Sequence, residues 1–349
     1  MNSLLGTLQV VSPHLSGELI APGARDALAH ATSLLPASWS RCMYLECRGL
    51  NDAVDLIINV DRAEMVAGEI GGLALPPSLG GLPEWQAVVA LARAWRSKGL
   101  SDHFSGIWLE FDLSLDCRSP PRPSVFVDFA PSVYHNRSAK RAVAAIVRAT
   151  CAVGRPVSPP IRECLYRYVA ALPRPALLLY AGFMLPRQTD AVRLCIMGMT
   201  PTELEQHLRD IGWSGHFDIV MALVRALGRL GEPRPAILHF DVGEDRASSV
   251  GLEYPFARHP QLVGGIREAP VLDYLVAQSY LTAARRAALS TWTGYERRVL
   301  PHELWPSVVV RRVNHIKLVV HPDASVETKL YLAVEHAALR SRRHAKVPE

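Results

Sequence analysis

The sequence predicts an α+β chain in which ten antiparallel strands, taken as five pairs, close into a barrel surrounded by helices. The first observation is a recurrence: two short apolar strands sit back to back around 42–60, 106–130, 175–199, 235–256 and 307–334. The second is the turns. Gly49-Leu50-Asn51-Asp52, Pro186-Arg187-Gln188-Thr189-Asp190, Gly243-Glu244-Asp245-Arg246 and Pro322-Asp323-Ala324-Ser325 are too short for a parallel crossover, so each pair is antiparallel. The third is the long helical stretch between successive pairs. Amphipathic helices need a sheet to cover, and strands with one covered face and one polar face point to a barrel whose lumen is the working side.

Taken in order, each element has a local reason. After the first pair, Pro83-Glu84-Trp85 opens a helix whose Trp85, Val88, Val89, Leu91, Ala92 and Trp95 recur at helical spacing until Gly99. Helices are expected at 138–153 and 158–172 before the third pair. Thr200-Pro201-Thr202-Glu203 then reads as an N-cap, a first-turn proline and a capping box. Further helices are expected at 215–230 and 270–289, with a weaker one beginning near 335. The pairs also echo one another: Leu109-Glu110-Phe111-Asp112 resembles Leu238-His239-Phe240-Asp241, and Arg193-Leu194-Cys195-Ile196 resembles Lys329-Leu330-Tyr331-Leu332. That self-similarity suggests one unit used repeatedly, at a period longer than that of common solenoids.

Composition sets the bounds. The chain has 349 residues, 49% of them apolar, and a formal charge of +5, which is enough for one large core and too little charge for a nucleic-acid footprint. The residues from Met1 onward lack a signal-peptide pattern, and no run reaches membrane-spanning length. A cytoplasmic protein without nucleic-acid or membrane partners is expected. Six scattered cysteines with no CxxC read as reduced thiols. A single domain is expected over residues 1–339, followed by a basic, disordered tail over 340–349.

Helices alternating with five antiparallel strand pairs resemble the ABBA (PT-barrel) prenyltransferases, and the chain reads as a divergent member. At residue level, His315-Ile316-Lys317-Leu318-Val319 and Lys329-Leu330-Tyr331 are similar to the alternating basic and tyrosine residues that bind the diphosphate of an allylic donor in that family. The resemblance implies transfer of an allylic group from its diphosphate to an aromatic or peptide side-chain acceptor. A metal such as Mg2+ could help neutralise the diphosphate, but the sequence requires no cofactor and shows no metal-ligand spacing.

Strand alternation supports the chemistry independently. It puts Arg311, His315 and Lys317 on one face, with Lys329 and Tyr331 on the matching face of the partner strand, while Ile316, Leu318, Leu330 and Leu332 point the other way. Two ammonium groups and a phenol side by side suit a departing diphosphate. Arg193 of the third pair joins them. Trp108 and Phe126, if inward, suit an allylic chain or an aromatic acceptor.

The other half of the lumen reads as acidic. Glu46, Glu110 and Glu253 are the catalytic candidates: the resemblance to the indole prenyltransferases implies that Glu46, or else Glu110, orients the acceptor, whereas Glu110 and Glu253 together would be an acid–base pair or would hold a cationic side chain such as arginine. Asp112 and Asp241, late in their strands, read as turn caps. Two alternatives to prenyl transfer therefore stand: a cyclase or peptide-modifying acid–base enzyme on the same barrel, and a non-catalytic barrel that binds a small molecule or peptide. Basic residues drawn from three or more pairs favour prenyl transfer; an acid-lined lumen favours acid–base chemistry.

Overall fold

Strands β1 (Cys42–Arg48) and β2 (Val54–Asp61) open the barrel. The computed structural model describes residues 4–36, 42–61, 75–97, 99–115, 119–131, 133, 138–174, 176–187, 189–230, 237–243, 249–257, 266, 268–299 and 306–338. The remaining staves are β3 (Phe104–Asp112), β4 (Pro123–Phe129), β5 (Leu177–Phe183), β6 (Val192–Met197), β7 (Ile237–Val242) and β8 (Val250–Pro255). After the short β9 (Gly294–Arg298) come the long β10 (Ser307–Val320) and β11 (Val326–Ala338). Every neighbour pairs antiparallel. β11 bonds both to β10 and back to β1, so ten strands close on themselves and none of those ten is left as a free edge.

Helices α1 (Leu4–Val11), α2 (Pro22–Leu34), α3 (Pro83–Ser97), α4 (Ala139–Ala152), α5 (Pro159–Ala170), α6 (Pro201–Asp210), α7 (Phe217–Leu230), α8 (Ala269–Ala277) and α9 (Ala283–Trp292) surround it. Several begin as their sequences dictate. Ser138, Ser158 and Thr282 accept N-terminal backbone N–H groups of α4, α5 and α9, and Thr200 with Glu203 completes the expected capping box of α6. The main core lies between these helices and the outer face of the barrel, where Leu45, Leu56, Leu109, Leu194, Leu252 and Ile316 are all fully buried. The lumen has its own small apolar cluster of Phe126, Met184 and Cys195.

Five elements differ from the sequence expectation. The helix expected near 335 is instead the end of β11, because Val334 and Glu335 have strand partners on both sides, in β10 and β1. The segment 270–289 is two helices; Ser279, at a left-handed φ of 59°, ends the first. The short β9 flanks the first half of β10 and stands outside the ten-strand closure. The N-terminal α1 and α2 were not foreseen. The basic tail from Arg340 lies outside the described residues. Among the described residues no helix is long and apolar enough to cross a membrane.

Candidate active site in the barrel lumen

The end of the lumen nearest the hairpin turns is a layer of crossed ion pairs. Arg48 reaches Glu46, Asp55 and Glu327, and Lys329 Nζ lies 2.7 Å from Glu46. Arg193 grips Asp241 through two N–H···O bonds of 2.7 and 2.9 Å, and Arg187 holds Asp112 in the same forked way while passing 3.6 Å from Glu110. Register explains this convergence: Arg48 pairs with Lys329, Lys329 with Lys317, and Lys317 with Glu253 across adjacent strands. From outside, Arg285 of α9 pins the first turn by donating to the Arg48 and Glu18 carbonyls and to Asp52.

The repeated LEFD and LHFD strings prove to be equivalent in space. Glu110 and His239 both line the lumen, and the aspartate two residues on, Asp112 or Asp241, binds an arginine of the third pair. The expectation that these aspartates cap turns is therefore corrected: a guanidinium that donates two direct hydrogen bonds outcompetes a local backbone N–H.

Next to this layer is a chamber of about 380 Å³, lined by Tyr44, Ile57, Trp108, Phe126, Tyr180 and Tyr331 on its walls. One wall is a continuous aromatic run: Trp108 stacks on Tyr44 at 5.1 Å, Tyr44 meets the His315 edge at 6.3 Å, and His315 stacks on Tyr331 at 3.8 Å. Two glycines make room. A Cβ on Gly182 would fall 2.5 Å from the Phe126 ring, and one on Gly251 would fall 2.6 Å from Cε of Lys317, so both lumen side chains lie flat across a neighbouring strand.

At the junction of chamber and charged layer, Glu253 gathers three nitrogens. Its Oε1 is 2.8 Å from His239 Nε2, 3.5 Å from His315 Nε2 and 3.9 Å from Lys317 Nζ. The other His239 nitrogen, Nδ1, is 3.1 Å from both Lys317 Nζ and Cys195 Sγ. Burial alone would raise the pKa of Glu253, but the adjoining imidazoles outweigh it and hold the carboxyl well below its usual range. Burial lowers His239 to about 4 and Lys317 to about 8, the latter despite the attraction of Glu253. Desolvation likewise raises Asp55 to about 6 against the pull of Arg48, and lowers Lys329. The cluster thus rests near neutral pH as a carboxylate, a neutral His239 imidazole and a lysine close to its titration point.

Most expected site residues meet here. Glu110, Glu253, Trp108, Phe126, His315, Lys317 and Tyr331 line the chamber, and Arg193 and Lys329 stand in the charged layer beside it. Two expectations need correction. Arg311 is on the outer face, its guanidinium 6.0 Å over the Trp292 ring, because a bulge at Asn314 shifts the register of β10 between Val313 and His315. The same bulge turns Arg312 and Asn314 into the chamber, where Arg312 bonds Asn314 and Glu335. Glu46 does not line the chamber; Arg48 and Lys329 claim its fully buried carboxylate. Sequence reading missed Tyr44, Tyr180, His239 and Cys195 as lining residues. Alternation was signal enough for Tyr44, two residues before Glu46.

Six lumen-side cations (Arg48, Arg187, Arg193, Arg312, Lys317, Lys329) face nine carboxylates (Glu46, Asp55, Glu110, Asp112, Asp128, Asp241, Glu253, Glu327, Glu335) among the described residues. No group of three or more His, Cys, Asp or Glu among them is arranged to hold a metal ion.

The fold is that of the ABBA prenyltransferases, a ten-stranded antiparallel barrel within a ring of helices. The chain is similar to the solved structure of AnaPT from Neosartorya fischeri at 10% identity, a TM-score of 0.56 and coverage of 97% of this chain and 92% of that one. It is similar to 6-dimethylallyltryptophan synthase from Micromonospora olivasterospora, solved with DMASPP and Trp, at 13% identity, a TM-score of 0.53 and coverage of 93% and 97%. A third is 5-dimethylallyltryptophan synthase from Streptomyces coelicolor, at 16% identity, a TM-score of 0.50 and 99% of both chains. No protein-family model matches the sequence, and no curated protein matches it. At such identities the likeness speaks for the fold alone.

Proposed function

We propose that the chain is a transferase that moves an allylic group from its diphosphate to an aromatic acceptor, free or within a peptide. The observation that carries this reading is the convergence of Arg48, Arg193, Lys317 and Lys329, drawn from three different hairpins, on one cross-section beside an aromatic chamber. Phosphoryl oxygens would replace carboxylates as partners of these cations and be stabilised as the allylic C–O bond breaks and the diphosphate leaves with the electron pair. The ring faces of Tyr44, Trp108 and Tyr331 would shelter the allylic cation. The acceptor ring attacks that cation, and the proton it then loses passes to the Glu253–His239–His315 group. Neighbouring structures carry dimethylallyl thiolodiphosphate with L-tryptophan or brevianamide F, which supports the same pairing of substrates here.

The test is to incubate the protein with dimethylallyl and geranyl diphosphates and a panel of indoles, phenols and aromatic peptides, and to look for the alkylated product and released diphosphate by mass spectrometry. Product that disappears in Lys317→Ala supports the reading; no product together with no diphosphate binding overturns it. The second reading, acid–base catalysis without a prenyl group, is favoured by Glu253 and its two imidazoles, which line the chamber.

A further inference from the structure

We infer that the acceptor is a cation, its ammonium or guanidinium seated against Glu110 within the aromatic walls of the chamber. This deepens the transferase reading and rests on its placement of the acceptor in the chamber. The first ground is charge. Each lumen-side arginine and lysine already has a carboxylate within ion-pair distance, and carboxylates outnumber them, so the resting lumen lacks positive charge rather than negative.

The second ground is the situation of Glu110 itself. It is 8% exposed and faces the chamber, yet among the described residues its ion-pair contact is Arg187 at 3.6 Å, whose fork is spent on Asp112 at 2.9 Å. Arg193 and Lys329 act on it only through space, and a buried carboxylate without a close partner of its own attracts a donor that carries its own charge.

The third ground is the wall. Glu110 follows Trp108 on the same face of β3, Trp108 stands opposite Phe126 across the β3–β4 pair, and Tyr331 lines the same space. Aromatic faces present negative potential, and a carboxylate at the end of such a box is an arrangement that recognises cations. A positive acceptor would also sit beside the donor's diphosphate and gain from its charge, which a negative acceptor would not.

Three indoles of similar size test this without any donor: tryptamine, 3-methylindole and indole-3-propionate, titrated at pH 7 and low salt. Tryptamine should bind roughly 10- to 100-fold tighter than 3-methylindole, the worth of a charge-assisted contact in a partly buried site, and indole-3-propionate more weakly still. In Glu110→Gln, tryptamine should fall to the level of 3-methylindole while 3-methylindole is unchanged. Equal or tighter binding of the neutral or anionic indole by the wild-type protein would overturn the inference, and that comparison needs no variant to fold. Retained tryptamine preference in a folded Glu110→Gln protein would overturn it too. Pyrophosphate binding measured alongside separates the two readings: cation preference without it removes prenyl transfer alone, and pyrophosphate binding without the preference removes the cationic acceptor alone.

Discussion

Replacing Lys317 by Met tests the charged layer most sharply, because methionine keeps the length of the side chain and removes only the ammonium. Lys317 is 7% exposed, lies flat on Gly251 and has Glu253 and His239 as its polar neighbours, so a bound diphosphate oxygen would be met by a largely desolvated cation. A hydrogen bond to such a charge contributes roughly 1.5–3 kcal/mol, which is about ten- to a hundredfold in the dissociation constant. The loss should depend on pH. Burial lowers Lys317 to about 8, so the wild-type ammonium is present below that pH and is lost above it. The ligand favours the protonated form; wild-type affinity relative to Lys317→Met should therefore fall by about one decade per pH unit above the titration point, until the two proteins converge. Isothermal titration calorimetry with inorganic pyrophosphate from pH 6.5 to 9.5 reads this directly. Taking the ratio at each pH cancels the ligand's own titration. Equal affinities at pH 7 in a folded variant, or a ratio that does not change with pH, would refute the role given to Lys317.

Gly251→Ala should act almost like Lys317→Met, weakening pyrophosphate binding while leaving the melting temperature of the barrel within a few degrees, since the new methyl would displace the lysine stem 2.6 Å away. Glu253→Gln should slow transfer by roughly 10²–10⁴-fold through loss of the proton acceptor. It should also move the high-pH loss of pyrophosphate affinity to lower pH, because Glu253 is what supports the Lys317 charge. Arg311→Ala should leave pyrophosphate affinity unchanged, and a tenfold loss in the folded variant would contradict the outward placement set by the bulge. Trp85→Ala should cost about 3–5 kcal/mol in chemical denaturation, as the ring is fully buried against Phe111 and donates to the Pro121 carbonyl at 2.8 Å.

The barrel was legible because its signals are local. Short turns force antiparallel pairs, period-two alternation separates Lys317 and Tyr331 from Ile316 and Leu330, and caps such as Thr200 mark where helices start. What escaped was whatever depends on one extra residue or on distant partners. The bulge at Asn314 reversed Arg311 and Arg312, which strict alternation cannot anticipate. His239 looked isolated along the chain, but Glu253 meets it from the next strand and Lys317 from β10. The Glu335-His336-Ala337-Ala338 end of β11 suits a helix by composition, but Val334 and Glu335 are paired on both sides, so tertiary pairing overrode that local preference. Lysine and arginine positions were visible in the sequence; that each would already be held by a carboxylate was not.

The most direct measurement is a calorimetric titration of the wild-type protein at pH 7 with inorganic pyrophosphate and then with dimethylallyl diphosphate. One-to-one saturable binding of both is expected, with the allylic ester the tighter because its hydrocarbon fills the chamber walled by Tyr44, Trp108 and Tyr331. Binding of neither ligand, by a protein whose melting curve shows it folded, would contradict the assignment of the lumen cations to a diphosphate.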